Sequence, residues 1–337
     1  MRPDSRPAGN DVRRILTLGR RAALATLAAP FVAARAQTAF PSRPIRIVSP
    51  YPPGGGTDTT ARLLAVPLAR LLGQPIVVEN KAGASGSIGA SEVARAAPDG
   101  HTLLIDPMAH VVNPTLMRGL TFDYGRAFAP VSQVTRLPQV MIAPVTLPPT
   151  LAGFIAQARA NEGKLAYGSS GNATGQHLAA AMFLRAAGLR DIEHVPFRGG
   201  SAAMQGVLAG DVAFAIATVN TAAGLVREGR LRGYAVASER RIAALPEVPT
   251  FAEAGVPGVV LDEWNGVFVP TGTPGPVIER LYAALAEALR DPTVQARMAA
   301  IGAQPVGSSP AEFAAFIVRE RESLAELIRA AHITLEG

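Results

Sequence analysis

The sequence predicts an α/β protein with two domains, each built on a mixed or parallel sheet that is flanked by helices. Short apolar strands alternate with amphipathic helices from Ile45 onward, a pattern typical of parallel α/β units. The chain has 337 residues, of which 48% are apolar, and this is enough for two hydrophobic cores. Two extended stretches, residues 131–144 and 263–269, enclose a complete α/β unit and indicate two crossings between the domains. We therefore expect a first domain of residues 40–139 plus 267–337 and a second domain of residues 140–266.

The first predicted strand, Ile45–Ser49, leads into the glycine-rich loop YPPGGGTDTTAR of residues 51–62. Apolar residues at helical spacing from Ala61 onward place a helix after this loop, with Thr57 or Asp58 as its N-cap. A glycine-rich turn before a helix presents unpaired N–H groups beside the positive end of the helix dipole. The loop therefore favours binding of an anion such as a carboxylate, although a turn of this kind can also be only a tight connection.

Two further strands, residues 76–79 and 102–105, lead into a glycine-containing loop and into the loop that holds Pro107, Met108 and Ala109. Because the carboxyl ends of parallel strands meet at one edge of a sheet, we expect the three loops to converge there. Ligands bind at that edge in open α/β sheets. Pro67 lies inside the first predicted helix and is expected to kink it or to break it near Val66.

The second predicted domain contains another glycine-rich loop, GSSGNATGQHLA, between the strand of residues 165–169 and a long helix. Thr174 is expected to cap that helix. This domain is also expected to contain a helix capped by Thr150, strands over residues 212–217 and 233–237, and a helix near residues 221–227. The C-terminal region is expected to form helices over residues 274–289 and 310–331, and the second of these begins with a capping box at Ser309.

The N-terminal 36 residues have the three parts of an export signal. Basic residues, among them Arg20 and Arg21, precede an apolar run over residues 22–32, and Ala34-Arg35-Ala36 fits the cleavage rule. The run is too short to span a bilayer, so we expect cleavage near Ala36 and a soluble periplasmic protein; twin-arginine and general secretion both stay open. Most of the formal charge of +6 falls in this segment, so the rest of the chain has no basic surface for nucleic acid.

The composition and motifs argue against an enzyme. The chain has no cysteine, which excludes disulfides, thiolate metal sites and cysteine nucleophiles. The segment Gly168-Ser169-Ser170-Gly171 is not the nucleophile elbow G-x-S-x-G of a serine hydrolase, and the glycines near Gly86 lack nicotinamide-binding spacing. The five histidines are scattered and do not form a metal motif. A hydrolase therefore remains only a remote alternative.

Several motifs, in this order, carry a resemblance to a known family: YPPGGGTDTTAR, VENKAGASGSIGA, PDGHTLL, YGSSGNATGQHLA, VPFRGG and PTFAEAGVPG, followed by Trp264-Asn265-Gly266. Over nearly all of the chain after the signal, the sequence resembles the solute-binding receptors of tripartite tricarboxylate transporters, the Bug or TctC family. The resemblance implies a two-lobed, type 2 periplasmic-binding-protein fold without metal or organic cofactor, and a monomer that binds small carboxylates. It also implies a two-component membrane permease as partner; a sensor kinase as partner stays open.

The resemblance also implies ligand contacts at matching positions. In the first domain these are Tyr51, Gly54, Gly55, Gly56, Ser85, Gly86, Ser87, Pro107, Met108 and Ala109. In the second domain they are Ser169, Ser170, Thr174, His177, Arg198, Gly199 and Gly200. The family often has glycine where this chain has Ala173, and that difference could change how closely the backbone approaches the ligand.

For some of these residues two interpretations stay open. Arg198 could bind a carboxylate bidentately, or it could brace its loop while the following glycine amides bind. His177 could face the ligand or hold the preceding loop. Asp58 is expected to be structural, because a bare carboxylate would repel an anionic ligand. Trp264 is expected in the core near the second crossing.

Overall fold

The computed structural model describes Met1, residues 40–197 and residues 199–334. From Phe40 onward the described residues form one compact unit. The predicted export signal of residues 1–36, with its cleavage near Ala36, lies outside the described residues apart from Met1, and so does Arg198. No helix among the described residues is long and apolar enough to cross a membrane.

The first sheet contains the three strands that the sequence predicts at the N-terminal end. It has six strands in the order β11-β4-β10-β3-β1-β2. Strand β1 is parallel to both β2 and β3, so the loops after these three strands leave from the same edge. Strands β10 and β11 run antiparallel to β4, and β10 also runs antiparallel to β3. The bounds are β1 Ile45–Ser49, β2 Ile76–Asn80, β3 Thr102–Pro107, β4 Phe128–Leu137, β10 Glu263–Pro270 and β11 Gln304–Pro305.

Seven helices accompany this sheet among the described residues: α1 Gly56–Leu72, α2 Ser87–Ala94, α3 Ala109–Leu116, α4 Tyr124–Ala127, α9 Gly275–Arg290, α10 Pro292–Ala300 and α11 Pro310–Ala330. The predicted break at Pro67 is wrong, because α1 continues through this buried residue to Leu72. Burial of Leu64, Leu68 and Leu72 against the sheet outweighs the hydrogen bond that proline removes. The capping box at Ser309 is confirmed.

The second sheet has five strands in the order β7-β6-β8-β5-β9. Strand β6 is parallel to β7 and β8, whereas β5 is antiparallel to β8 and β9. The strand bounds are β5 Gln139–Pro144, β6 Ala166–Ser169, β7 Glu193–Pro196, β8 Phe214–Thr218 and β9 Leu231–Val236. The helices are α5 Leu151–Ala160, α6 Gly175–Ala187, α7 Gly200–Ala209 and α8 Val219–Arg227. The caps predicted at Thr150 and Thr174 are both present.

The chain passes from one sheet to the other through very short segments. Only Pro138 separates β4 of the first sheet from β5 of the second. On the return path, the Leu261 backbone N–H donates to the Ala237 carbonyl at 2.9 Å, and β10 then enters the first sheet. Both predicted extended stretches are therefore strands. Their position at the transitions between the sheets agrees with the expected crossings, while the division into two domains stays a prediction.

Trp264 is 1% exposed on β10 and packs against helix α11. Its ring centroid lies 5.7 Å from that of Phe313 and 5.6 Å from that of Phe316. Phe313 also lies against Gly266, where a Cβ would collide with its ring. The C-terminal helix is thus anchored to the strand that returns from the second sheet.

Candidate functional site

A cleft of about 570 Å³ lies between loops of the first sheet and loops of the second. On the first side it is lined by the loops after β1, β2 and β3. On the second side it is lined by the loops after β6 and β8 and by Gly199. The floor includes Glu263 and Asn265 of β10. The three loops of the first sheet therefore converge as expected, and loops of the second sheet border the same cleft.

The loop after β1 is held from behind by Asp58. Its Oδ2 accepts a 2.8 Å hydrogen bond from the Gly54 backbone N–H, and its Oδ1 accepts one of the same length from Asn80 Nδ2. Arg62 Nε donates to both oxygens at 3.0 Å. Burial alone would raise the pKa of Asp58, but these bonds outweigh it and lower the pKa. The carboxylate is 2% exposed and does not line the cleft, which agrees with its expected structural role.

The predicted N-cap at Thr57 or Asp58 is wrong, because α1 begins earlier and Gly55 occupies the N-cap position without a side-chain bond. Thr57 instead lines the cleft, and its Oγ1 donates to Asn265 Oδ1 at 2.9 Å. Asn265 Nδ2 in turn donates to Thr135 Oγ1. The start of α1 is thereby tied to β10 and β4, which fixes its N-terminus toward the cleft.

The loop after β2 is fixed by two donors to one carbonyl. The Ser85 carbonyl accepts a 2.9 Å bond from Asn113 Nδ2 and a 3.3 Å contact from Tyr51 Oη. Ser85 itself has a φ of 49°, in the left-handed region. Gly86 lies beneath the Tyr51 ring, where a Cβ would come within 3.1 Å of the hydroxyl. Burial raises the pKa of Tyr51 well above its usual value, with further contributions from Asp106 and Glu263.

The predicted glycine-rich loop of the second sheet lies between β6 and α6 and contains the N-cap of α6. Thr174 Oγ1 accepts from the His177 backbone N–H, so it is the N-cap of α6. Ser170 Oγ donates to Gln176 Oε1 at 2.6 Å, and both residues line the cleft. Ala173 has a φ of 59°, a conformation that favours glycine. The alanine therefore adopts a backbone conformation in which glycine would have no steric penalty.

His177 lies behind this loop and does not line the cleft. Its Nδ1 accepts a 3.1 Å bond from the Ala173 N–H, and its ring stacks on His194 with centroids 3.7 Å apart. His194 Nε2 lies 2.7 Å from Ser169 Oγ. Ser169 is 0% exposed, so this serine–histidine contact is closed to a substrate. The observed contacts favour the bracing interpretation of His177.

The described residues that line the cleft include no lysine, arginine or histidine. Four helices of eight residues or more instead contribute a residue of their first turn to the lining: α1 Gly56, α3 Ala109, α6 Gly175 and α8 Asn220. Helix α7 contributes its N-cap residue, Gly199. The first N–H groups of a helix lack partners within it and carry the positive end of the dipole. Four such ends around one cavity form a site for an anion with more than one negative group.

The predicted site residues divide into three groups. Those that line the cleft in the first sheet are Tyr51, Gly56, Ser85, Pro107, Met108 and Ala109, and those in the second are Ser170, Thr174 and Gly199. Those that lie behind or beside it are Gly54, Gly55, Gly86, Ser87, Ser169, His177 and Gly200. Arg198 is outside the described residues.

The polar residues at the end of β8 and the cleft-facing side chains of β10 are not among the site residues predicted from the sequence. Thr218 ends β8, which is parallel to β6, and Asn220 and Thr221 follow it. The expectation that ligands bind at the carboxyl ends of parallel strands, used for the first sheet, would therefore have located these residues. Glu263 and Asn265 flank Trp264, and alternate residues of a strand face opposite sides. Once Trp264 is placed in the core, its two neighbours must face the cleft.

The buried histidines make the fold sensitive to acid. Burial lowers the pKa of His177 to about 3, helped by His194, and lowers the pKa of His194 to about 4. The unfolded chain binds these protons near pH ~6.5, so stability is full above that pH and is lost as the pH falls toward about 4. We expect these two histidines to lower the free energy of unfolding at about pH 5 relative to about pH 7. The buried carboxyls of Glu263 and Glu320, whose pKa values are raised to about 7, act in the opposite direction, so the histidine contribution is measured by urea unfolding of the native chain against a histidine variant.

The matched variant is His177→Asn, which keeps a hydrogen-bond acceptor but does not titrate. We expect it to lose roughly 1 to 2 kcal/mol less than the native chain over this interval. An identical loss in both proteins would show that His177 does not contribute to the acid sensitivity.

The two α/β sheets and the cleft between their loops define the class of periplasmic solute-binding proteins. Residues 60–333 match the model of the tripartite tricarboxylate transporter family receptor, TctC. The chain belongs to this family of substrate-binding receptors, and it is not an enzyme. Among the described residues no group of three or more acidic or histidine side chains could hold a metal ion.

This chain is similar to known relatives and to solved structures over almost its whole length. BugT of Bordetella pertussis is 36% identical over 95% of this chain and 98% of its own length. MatC of Rhodopseudomonas palustris, solved with malate, is 33% identical with a TM-score of 0.72 over 86% of this chain and 100% of that one. The R. palustris protein Rpa4515, solved with adipate, is 31% identical with a TM-score of 0.76 over 88% of this chain and 99% of that one.

Proposed function

We propose that this protein is an exported receptor that captures a small organic carboxylate in the cleft between its two sheets and presents it to a membrane partner. The observation that carries the proposal is the convergence of four helix N-termini on a cavity without a described cation. Dipole ends and backbone N–H groups bind carboxylate oxygens without a charged side chain. The solved relatives bind malate and adipate, both small dicarboxylates, which supports this ligand class.

Two negative groups on one ligand suit the geometry of the cleft. One carboxylate would lie at the end of α1, on the first sheet, and another at the end of α8, on the second. Such a ligand gains both sets of contacts only when the two sides are close together, so it would favour a closed arrangement. The crossings at Pro138 and before β10 are the positions about which we expect that closure to occur.

The test is thermal unfolding of the purified protein with a panel of mono-, di- and tricarboxylates, neutral sugars and nicotinamide cofactors. A ligand present at about 100 times its dissociation constant should add roughly 2.7 kcal/mol and raise the midpoint by several degrees. We expect the shift with at least one carboxylate and with no sugar or cofactor. A panel in which no carboxylate raises the midpoint would contradict the proposal.

The family description, a receptor of tripartite tricarboxylate transporters, supports a transporter as the membrane partner. We therefore propose a two-component permease as the partner, with a sensor kinase as the alternative. Deleting a permease gene encoded beside this one should abolish uptake of the ligand but leave its binding unchanged. Unchanged uptake together with a lost transcriptional response after deletion of a sensor gene would favour the alternative.

A further inference from the structure

Glu263 is the one carboxylate among the described residues that line the cleft. It lies on β10, and its carboxylate accepts a hydrogen bond from the backbone N–H of Met108, the N-cap residue of α3. Its Oε2 also lies against Gly175, the first residue of α6, where a Cβ would collide with it. The protein thus holds a negative group of its own between two of the four helix N-termini.

The pKa of Glu263 lies near neutral pH. Burial raises its pKa to about 7, against the lowering effect of the Met108 bond, and the nearby Glu320 of α11 raises it further. Tyr51, whose pKa lies well above its usual value, is the other titratable group that interacts with Glu263 among the described residues. No described cation lines the cleft to compensate the charge. In mildly alkaline solution the side chain is therefore an anionic hydrogen-bond acceptor inside a site for anions.

The position of Glu263 makes one part of the cleft unfavourable for a ligand carboxylate and leaves another part favourable. A ligand carboxylate next to Glu263 would meet a like charge, which is unfavourable in a partly buried site. Among the described residues, no hydrogen bond joins Glu263 to the N-terminus of α1 or α8, so these two ends are left for a ligand carboxylate. A hydroxyl or ammonium group next to Glu263 would instead donate a charge-assisted hydrogen bond, which is about twice as strong as a neutral one.

We propose that Glu263 selects carboxylates that carry a hydrogen-bond donor, a hydroxyl or an ammonium group, and disfavours ligands whose only polar groups are carboxylates. This inference rests on the proposed function, because it assigns the ligand class of the same cleft. It names hydroxy acids and amino acids as the preferred ligands, with the donor directed at the Glu263 carboxylate. Glu263 is thereby a specificity-determining residue that the sequence motifs did not reveal.

The experiment is isothermal titration of the native chain with pairs of acids that differ by one donor group. The pairs are malate and succinate, aspartate and succinate, lactate and propionate, and 3-hydroxybutyrate and butyrate. At about pH 8 we expect the donor-bearing member of at least one pair to bind roughly tenfold or more tightly, the effect of one hydrogen bond to a charged acceptor. Glu263→Gln keeps the size of the side chain and removes its charge, so the ratio should fall by about tenfold.

The matched control is Glu279→Gln, the same change at an exposed position of α9 far from the cleft. We expect it to leave the ratio as in the native chain. Lowering the pH from about 8 to about 6 should reduce the ratio in the native chain, because Glu263 then becomes protonated. The ratio should change much less in Glu263→Gln, because Asp262 and Glu320, which still titrate in or near this interval, do not line the cleft.

Two failures are distinguishable. If carboxylates bind but the plain acid of every pair binds as tightly as its donor-bearing partner, the selection by Glu263 is overturned while the receptor stands. An equal ratio in the native chain and in Glu263→Gln overturns it as well. If no acid of any pair binds to the folded native chain, the proposed function fails, and this inference fails with it.

Discussion

Replacing Gly56 by leucine is expected to abolish binding of carboxylates while leaving the protein folded. Gly56 is the first residue of α1 and lines the cleft, and a Cβ there would meet no atom within 4 Å. A leucine side chain would therefore extend into the cavity and cover N–H groups at the start of the helix. We expect affinity to fall by at least about 100-fold, equivalent to more than ~2.7 kcal/mol, by isothermal titration.

The control is Gly224→Leu, in the exposed middle of α8, where a Cβ also meets nothing within 4 Å. This change should keep affinity and raise helix propensity by about 1 kcal/mol. Native-like affinity in Gly56→Leu, with both variants folded by circular dichroism, would exclude the start of α1 from the binding site.

Replacing Phe313 by alanine is expected to lower the free energy of unfolding by about 3 to 5 kcal/mol. The Phe313 ring is 0% exposed and lies against the backbone of Gly266. Its centroid is 5.7 Å from the ring centroid of Trp264 and 5.2 Å from that of Phe268. Its removal would leave a cavity between α11 and β10, because Gly266 has no side chain to fill the space. Urea denaturation measures the loss.

Val318→Ala provides the comparison on the same helix, because Val318 is 53% exposed. We expect a change within about 0.5 kcal/mol, as is usual for surface positions. A loss below about 1 kcal/mol for Phe313→Ala would mean that the neighbouring rings close the cavity and that α11 is not anchored through Phe313.

The sequence predicted the elements whose signals are local. The alternation of β-branched strands with helices located β1, β2, β3 and β6, and the glycine-rich loops marked where backbone approaches the cleft. The caps at Thr150, Thr174 and Ser309 were also recognised, because a cap depends on residues three positions apart. These features need no knowledge of which strands become neighbours.

Features that depend on distant residues were missed or misplaced. Pro67 did not break α1, since packing of the helix against the sheet is decided by residues far away in the sequence. Short elements such as α10 and β11 have weak patterns and are fixed by their contacts with α9 and β4. The inward direction of Glu263 became clear only when Trp264 was placed on the opposite face of β10.

The burial of Trp264 has an optical consequence. It is the one tryptophan of the chain, so all tryptophan fluorescence originates from a single position on the strand that returns from the second sheet. Its two strand neighbours, Glu263 and Asn265, line the cleft, while its own ring is shielded from water by α11. Its emission wavelength therefore reports the contact between this strand and α11, and a shift of emission on adding a carboxylate would show, without an attached dye, that binding reaches this strand.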